Sequence, residues 1–376
     1  MKRIYGAKER TMRKSLLMVL AMLLVPGVAL AGPSPRVLSS ADLKAQIGLP
    51  PRHPDTAPPI FPSPAQLEHS RNKVRAPMNA VSTRRLPYNG GPIMQTSKVY
   101  LIFWEPPTLQ DGSGSGVRSG FNNQMYDYVV DVNGSQIGNV QTQYWMRGSD
   151  GYRYGVQNKV SYGGYYLDQT AYPKNVCYNP VTGWNCVTDA WARYEIKKAM
   201  DAKGWTGGYN KLFILYTGYG EGSCDVPPSS SGACKAGTAA YKNYCGYHYY
   251  DVYATQPVIY ANMPYADSGH TTNCFSTMPA SPHGSKVLDS EFSITSHEHF
   301  EAITDPIPTT NWYGWIDLWE ANNGLGGENG DKCAWYFSPL RYGSNGNQIM
   351  NNEYYILQDE FSDNAYDAGQ TPCVQK

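Results

Sequence analysis

The sequence predicts a mixed α/β (α+β) fold, in which a mixed sheet packs on helices and Gly/Tyr-rich, disulfide-linked loops surround it. Three observations carry that expectation. Lys98–Trp104 and Leu212–Tyr216 are short runs of β-branched and aromatic residues, the composition of buried strands. Residues 186–202 and Leu288–Thr304 repeat apolar side chains at helical spacing. Strands and helices also alternate along the chain instead of segregating.

Residues 1–31 read as a secretory signal. Arg13 and Lys14 precede an apolar run from Leu16 to Leu24, Pro26-Gly27 breaks it, and Ala29-Leu30-Ala31 has the small-x-small pattern of a cleavage site. The run is too short to span a bilayer, so no membrane anchor is expected after cleavage. Residues 32–87 form a proline-rich linker or propeptide. Twelve of the 27 prolines fall between positions 32 and 92, and proline at that density blocks sheet pairing. A short helical hint near Leu38–Ile47 is the exception, and Arg84-Arg85 is a dibasic pair before the main domain.

The domain at 88–376 opens with the strand ending at Trp104, which Pro106-Pro107 stops. A helix is expected over 119–132 and a strand from Val140 to Trp145. Residues 148–185 show turn signals and no helix. In the helix at 186–202, Val187, Ala190, Trp191 and Tyr194 mark the expected inner face, and Gly204 ends it. Tyr247–Tyr253 and Val258–Met263 read as paired strands. A last helix runs from about Leu288 to Thr304, stopped by Pro306 and Pro308, and a short element is expected near Tyr354–Gln358.

The formal net charge is zero, but residues 1–31 hold six basic and one acidic residue, leaving 25 basic and 30 acidic, a net of −5. A mildly acidic mature chain does not seek phosphate backbones, so no nucleic-acid partner is expected. All eight cysteines lie between Cys177 and Cys373, an even number in a chain with an export signal, which favours disulfides. Eight cysteines allow 105 pairings; the short-range pairs Cys177–Cys186 and Cys224–Cys234 are plausible, which leaves Cys245–Cys274 and Cys333–Cys373 over. The 31 tyrosines suit either a tyrosine-rich core, the favoured reading, or a surface that stacks on cell-wall glycan.

The chemistry concentrates in Ser296-His297-Glu298-His299-Phe300-Glu301. On a helix, positions i and i+4 share one face. His297 and Glu301 can therefore grip one metal ion, and Glu298 can reach a water bound to it. This is the logic of His-Glu-x-x-His zinc peptidases with a carboxylate in place of the second imidazole. Phe292, Phe300 and Ile303 form the packed stripe beside this pair, and His299 points to the far side. Downstream, Glu328 suits a third ligand and Asp331 a second-layer partner that holds the His297 tautomer. Asp305, Asp317 and Glu320 are rivals to Glu328. Tyr313, His248, His270 and His283 are candidates for a donor to a developing oxyanion.

The expected cofactor is one zinc per chain, which lowers the pKa of its bound water toward about 7. Glu298 would take the proton as a carbonyl is attacked and pass it to the leaving group. The expected activity is thus that of a secreted zinc-dependent hydrolase, a metallopeptidase with a polypeptide substrate. The alternative is a non-catalytic extracellular, wall-associated binding protein. The order of strand, helix, strand, edge strands and metal helix matches the zincin-like layout of the zinc-peptidase upper domain.

Several segments together resemble the Exordium or phosphate-induced protein family and its bacterial branch. They are Gly90-Gly91-Pro92 before Val99–Trp104, Cys245-Gly246-Tyr247-His248, His297-Glu298-x-x-Glu301 leading to Asp305-Pro306, Trp315-Ile316-Asp317, and Glu328-x-x-Asp331-x-Cys333. The resemblance spans about residues 88–376 and implies a secreted protein, associated in plants with the wall or apoplast. Asn329-Gly330 and Lys332 depart from it, since relatives tend to have apolar residues there.

Overall fold

The computed structural model describes residues 37–51, 53, 58–74, 82–183, 185–340 and 346–376. The expected signal at 1–31 lies outside them. Among the described residues, no helix is long and apolar enough to cross a membrane.

One six-stranded mixed sheet organises the domain. Its strands are β1 (Phe61–Pro62), β2 (Ser97–Trp104), β3 (Val160–Asp168), β4 (Lys211–Thr217), β5 (Tyr244–Tyr253) and β6 (Gln256–Met263), in the spatial order β1-β5-β6-β4-β2-β3. Strands β6, β4, β2 and β3 run parallel, with Leu101 opposite Ile214 and Ile214 opposite Ala261. The β5–β6 hairpin and the short β1 add antiparallel pairings at one edge. The parallel centre is apolar on both faces, as it must be when helices cover both.

The helices used below are α1 (Ser40–Ile47), α2 (Pro64–Lys73), α3 (Phe121–Asp131), α4 (Asp189–Lys203), α5 (Lys286–Thr304) and α6 (Leu318–Asn322). Helix α4 covers one face, where its Asp189 accepts from Tyr247 and Tyr260. Helices α3 and α5 pack on the other face, where Tyr216 of β4 meets Thr295 of α5 at 3.0 Å. Alternation along β5 therefore sends Tyr247 toward α4 and His248 toward α5. Of the tyrosines, Tyr128, Tyr144, Tyr209, Tyr216, Tyr241, Tyr244, Tyr247, Tyr249, Tyr250, Tyr260 and Tyr355 are fully buried, so the core reading of tyrosine accounts for much of their number.

Three expectations change. Val140–Trp145 is not a strand: Gln136–Val140 is helical and Gln141–Gln143 a 3-10 turn, started by Ser135 accepting from Gly138 N–H. Serine capping outweighed the β-branched composition. Strand β3 lies inside the turn-rich 148–185 stretch, where glycines and half-exposed tyrosines hid it from a pattern search. The inner face of α4 is Asp189, Ala192, Glu195, Ile196, Ala199 and Met200, while Tyr194 is exposed and stacks edge-on against Trp191. Charges enter that face because they are paired: Asp168 and Glu195 share Lys198, and Asp189 binds Arg193.

The proline-rich stretch has no core of its own, but it does not stand apart. Leu38, Leu43, Phe61 and Leu67 are buried in the common core, and Ser39 and Ser63 cap α1 and α2. The dibasic Arg84 is tied to Asp317 at 2.7 Å, and Arg85 lies 3.0 Å from Asp367.

All four disulfides pair as expected: Cys177–Cys186, Cys224–Cys234, Cys245–Cys274 and Cys333–Cys373. The last closes a separation of 40 residues, worth about 3–4 kcal/mol by loop-closure entropy.

Helix α5 is buried on every side from Leu288 to Thr304. A helix in that position must satisfy each polar side chain it carries. Asp289 is held by Ser281 and His283, Ser293 accepts from Gln358 N–H, and His299 pairs with Ser97 at 2.9 Å. Glu291 receives one bond, from Ala266 N–H, and burial pushes its carboxyl up to about 8. The folded chain thus keeps a proton that the unfolded chain releases near pH 4.5. Stability falls as pH rises from about 4.5 to about 8, by a few kcal/mol in order of magnitude. Glu291→Gln removes this slope. Thermal melts from pH 5 to 8 should show the variant gaining on the parent as pH rises, and parallel curves would reject the assignment.

Candidate metal centre

The floor of the centre is α5. Its i, i+4 spacing puts His297 and Glu301 one turn apart on one face, with His297 Nε2 and Glu301 Oε1 2.8 Å apart. Strand β5 sends His248 down onto the same place. Its Nδ1 lies 3.3 Å from Glu298 Oε2 and 3.6 Å from Glu301 Oε2, and its Nε2 lies 3.6 Å from Glu328 Oε1. The chain after α6 closes the third side and brings in Glu328 and Asp331. The Cys333–Cys373 bridge follows two residues after Asp331, and Cys245–Cys274 anchors β5 three residues before His248.

Two three-donor groups result, His297–Glu298–Glu301 and His248–Glu301–Glu328, each with one donor atom per residue within 4.8 Å of the others. Glu301 belongs to both. Glu301 shares a donor group with each of the other two expected ligands, but His297 and Glu328 fall in different groups, Glu328 approaching from the His248 side. His248, read from the sequence only as a candidate donor, stands among the ligand-type residues. It adds a second imidazole to a set that looked one-imidazole and carboxylate-rich.

Asp331 sits differently from the expected tautomer-holding role. It faces His297 Nε2 at 3.7 Å, on the ligand side of the ring, and accepts from Glu328 N–H. The Nδ1 partner is Gln358, at 2.8 Å, itself fixed by Gly330 O and Trp335 N–H. Gln358 follows a short C-terminal strand, and no periodicity marks it. Asp305 ends α5 beside the cluster, with Oδ1 accepting from Gly314 N–H and its backbone carbonyl 3.0 Å from His248 Nε2. Tyr313 is half-buried and feels the charges of Asp305 and Glu328.

The other rivals lie elsewhere. Asp317 caps α6 and, with Glu320, is occupied by Lys332, at 3.2 and 2.8 Å. Arg84 also binds Asp317. His283 belongs to Asp289 at the start of α5. His270 is exposed and has no part in either donor group. His299 is on the far side of α5, and burial drops its pKa to about 4, so it is a neutral core histidine.

The electrostatics are those of an anionic surplus out of water. His297, Glu298, Glu301, Glu328, Asp331, Asp305 and His248 are each at most 2% exposed. Among the described residues, no Lys or Arg pairs with Glu298, Glu301, Glu328, Asp305 or Asp331. Burial raises the pKa of Glu298, Glu328, Asp331 and Asp305, since desolvation penalises the charged form. Burial acts the same way on Glu301, but His297 and His248 outweigh it and hold Glu301 ionised. Burial would lower both histidines, and the surrounding carboxylates more than reverse that, Glu301 foremost for His297 and Glu328 for His248.

Asp331 Oδ1 and Glu298 Oε1 have no hydrogen-bond partner, and Glu328 and Asp305 have only each other's carboxyl groups to share a proton. Orphaned buried oxygens around two imidazoles fit a divalent cation, which would neutralise the cluster and satisfy them together. Mixed imidazole and carboxylate donors suit zinc, with manganese as a harder competitor.

The positions that depart from the resembled family have structural work here. Lys332 neutralises Asp317 and Glu320, and Asn329 links Thr304, Gln141 and Glu360. Gly330 lies against the centre, where a Cβ would come within 2.8 Å of His297 Nδ1 and 2.9 Å of Glu301 Oε1.

Compared with protein-family models, curated proteins and solved structures, the chain finds no match.

Gly330→Ala should displace His297 and Glu301 while leaving the sheet and disulfides intact. Zinc affinity is expected to fall at least tenfold by competition with a chelating dye, with a melting temperature within a few degrees of the parent. Unchanged affinity would mean that metal does not sit at His297.

Proposed function

We propose that the chain is a secreted zinc-dependent hydrolase of polypeptides. The observation that carries this reading is the orphaned Oε1 of Glu298, buried beside two imidazoles and a carboxylate cluster on one helix face. His297, Glu301 and Glu328 would hold one zinc, with His248 and Asp331 as adjacent donors. Zinc bound there supplies a Lewis acid that acidifies a coordinated water and polarises a carbonyl.

Glu298 has one oxygen tethered and one open. Oε2 lies 3.3 Å from His248 Nδ1, and that contact orients the carboxylate. Oε1 is left to accept a proton from water and pass it to a leaving amine, the two duties of a general base that becomes an acid. Gln358 fixes the His297 ring through Nδ1. Tyr313, near Asp305 and Glu328, is the candidate donor to charge developing on a substrate oxygen.

Export is supported by the four disulfides, which persist in oxidising compartments, and by the charged-apolar-small pattern before Gly32.

A second reading is favoured by the complete burial of the donors. A metal enclosed this way could be purely structural, in a non-catalytic extracellular protein of the Exordium type. Exposed Tyr126, Tyr165 and Tyr194 would then be the surface offered to cell-wall glycan.

Elemental analysis of the signal-free protein should give about one zinc per chain, lost in His297→Ala. Glu298→Gln should retain the zinc and lose peptide hydrolysis by a factor on the order of 1,000 or more. Hydrolysis at the parental rate would remove Glu298 from the mechanism, and zinc bound without hydrolysis even after the segment over His297 is displaced would favour the structural reading.

A further inference from the structure

The imidazole of His297 is covered by a side chain from the proline-rich front of the chain. Phe61 is fully buried and stacks on the His297 ring with centroids 4.0 Å apart and planes 28° apart. Trp335 stacks on Phe61 in turn, at 4.7 Å and 19°. Phe61 therefore fills a slot between a ligand-type residue and an indole. It does so as part of β1, which pairs antiparallel with β5, Phe61 opposite Gly246 and Pro62 opposite Tyr244. His248 is two residues further along the same strand.

The pairing is built from backbone contacts, one aromatic anchor and two side-chain bonds just beyond it, Ser63 Oγ to Lys242 O and Asn243 Nδ2 to Gln66 Oε1. Ser63 N–H donates to Asn243 O at 2.9 Å, and Trp335 Nε1 donates to Pro62 O at 2.8 Å. Gly246, opposite Phe61, lies against the helix so closely that a Cβ would meet Ile294 and stand 3.3 Å from Glu298 Oε1. The extended segment thus crosses the centre next to the open oxygen of the proposed base. Among the described residues, no further strand joins the sheet beyond β1 at the β5 edge. An extended peptide adding to a sheet edge uses the same contacts: main-chain hydrogen bonds for affinity and a pocket for one side chain.

We infer that the β5 edge and the slot between His297 and Trp335 form the binding groove for an extended peptide with an aromatic side chain, and that Phe61-Pro62 occupies it in cis as an internal blocking segment. The inference rests on the peptidase reading for the nature of the ligand. It also explains why a site with an orphaned base is closed to solvent. Proline suits the blocking role, because Pro62 has no N–H to offer a neighbouring strand and the Phe61–Pro62 bond is a tertiary amide. Ser63 then caps α2, whose Leu67 is buried, so the segment leaves the groove at a defined point.

The first test uses the unmodified full chain. Hydrogen exchange should release the Ser63 amide at least 100-fold faster than β6 amides such as Ile259, because β1 undocks without unfolding the sheet. The second uses full-length Phe61→Asp and a fluorescent synthetic peptide with the sequence of residues 58–73. Saturable binding should appear in the variant, at least tenfold tighter than in the parent, and a peptide carrying Phe61→Ala should bind at least tenfold more weakly.

A Ser63 amide that exchanges only with global unfolding makes β1 a permanent strand and overturns the inference, even if Phe61→Asp does not fold. A folded variant that binds no peptide overturns it as well. Peptide binding without hydrolysis of any peptide by the zinc-loaded variant leaves the groove standing and removes the peptidase reading instead.

Discussion

Helix α5 is buried on all sides yet carries His297, Glu298 and Glu301 in its middle, and most of the architecture answers to that. Unpaired charge in a low-dielectric interior costs several kcal/mol per group, so the rest of the chain must supply partners or a cation. The helix meets most of that demand locally, with His283 on Asp289, Ser97 on His299 and Gln358 on His297. What remains, around Glu298, Glu301 and Glu328, is left to metal and shared protons. Under the proposed function, binding a metal there would release protons.

The scaffold holds the remaining donors on elements that cannot drift. His248 stands on a strand paired with β6, opposite Ala261, with a disulfide three residues before it. Glu328 and Asp331 sit on irregular backbone, which is the less rigid choice. That backbone is compensated by the Cys333–Cys373 bridge, by the Lys332 pairs and by glycines that let the loop approach α5. The same compaction explains the buried Tyr-rich core: tyrosine fills volume while its hydroxyl reaches a polar partner, as Tyr247 and Tyr260 do on Asp189.

The β1 strand gives the closed centre a functional meaning. A structural metal site needs no aromatic lid on a ligand ring, and a catalytic one cannot work while covered. A segment docked by edge pairing and one buried phenylalanine reconciles a complete set of donors with a covered base. It also gives the proline-rich front a role beyond spacing.

Local pattern was enough for the elements whose signal is periodic or compositional. Strands β2 and β4, the hairpin of β5 and β6, helix α5 and the His297–Glu301 pair follow from side-chain spacing, because a helix or strand repeats its faces at a fixed interval. Two of the cysteine pairs, Cys177–Cys186 and Cys224–Cys234, followed from short separations. Elements that depend on distant partners were not legible. Strand β3 exists because β2 offers an edge, the inner face of α4 accepts charges because Lys198 and Arg193 neutralise them, and Val140 turned helical under a serine cap. Sequence alone thus determined the helix that carries His297, Glu298 and Glu301 and the elements flanking it. Only the tertiary structure decided that His248 and Gln358 join the centre, that Asp317 and Glu320 belong to Lys332, and that Phe61 covers His297. Those are contacts between residues tens to hundreds of positions apart, and no local spacing encodes them.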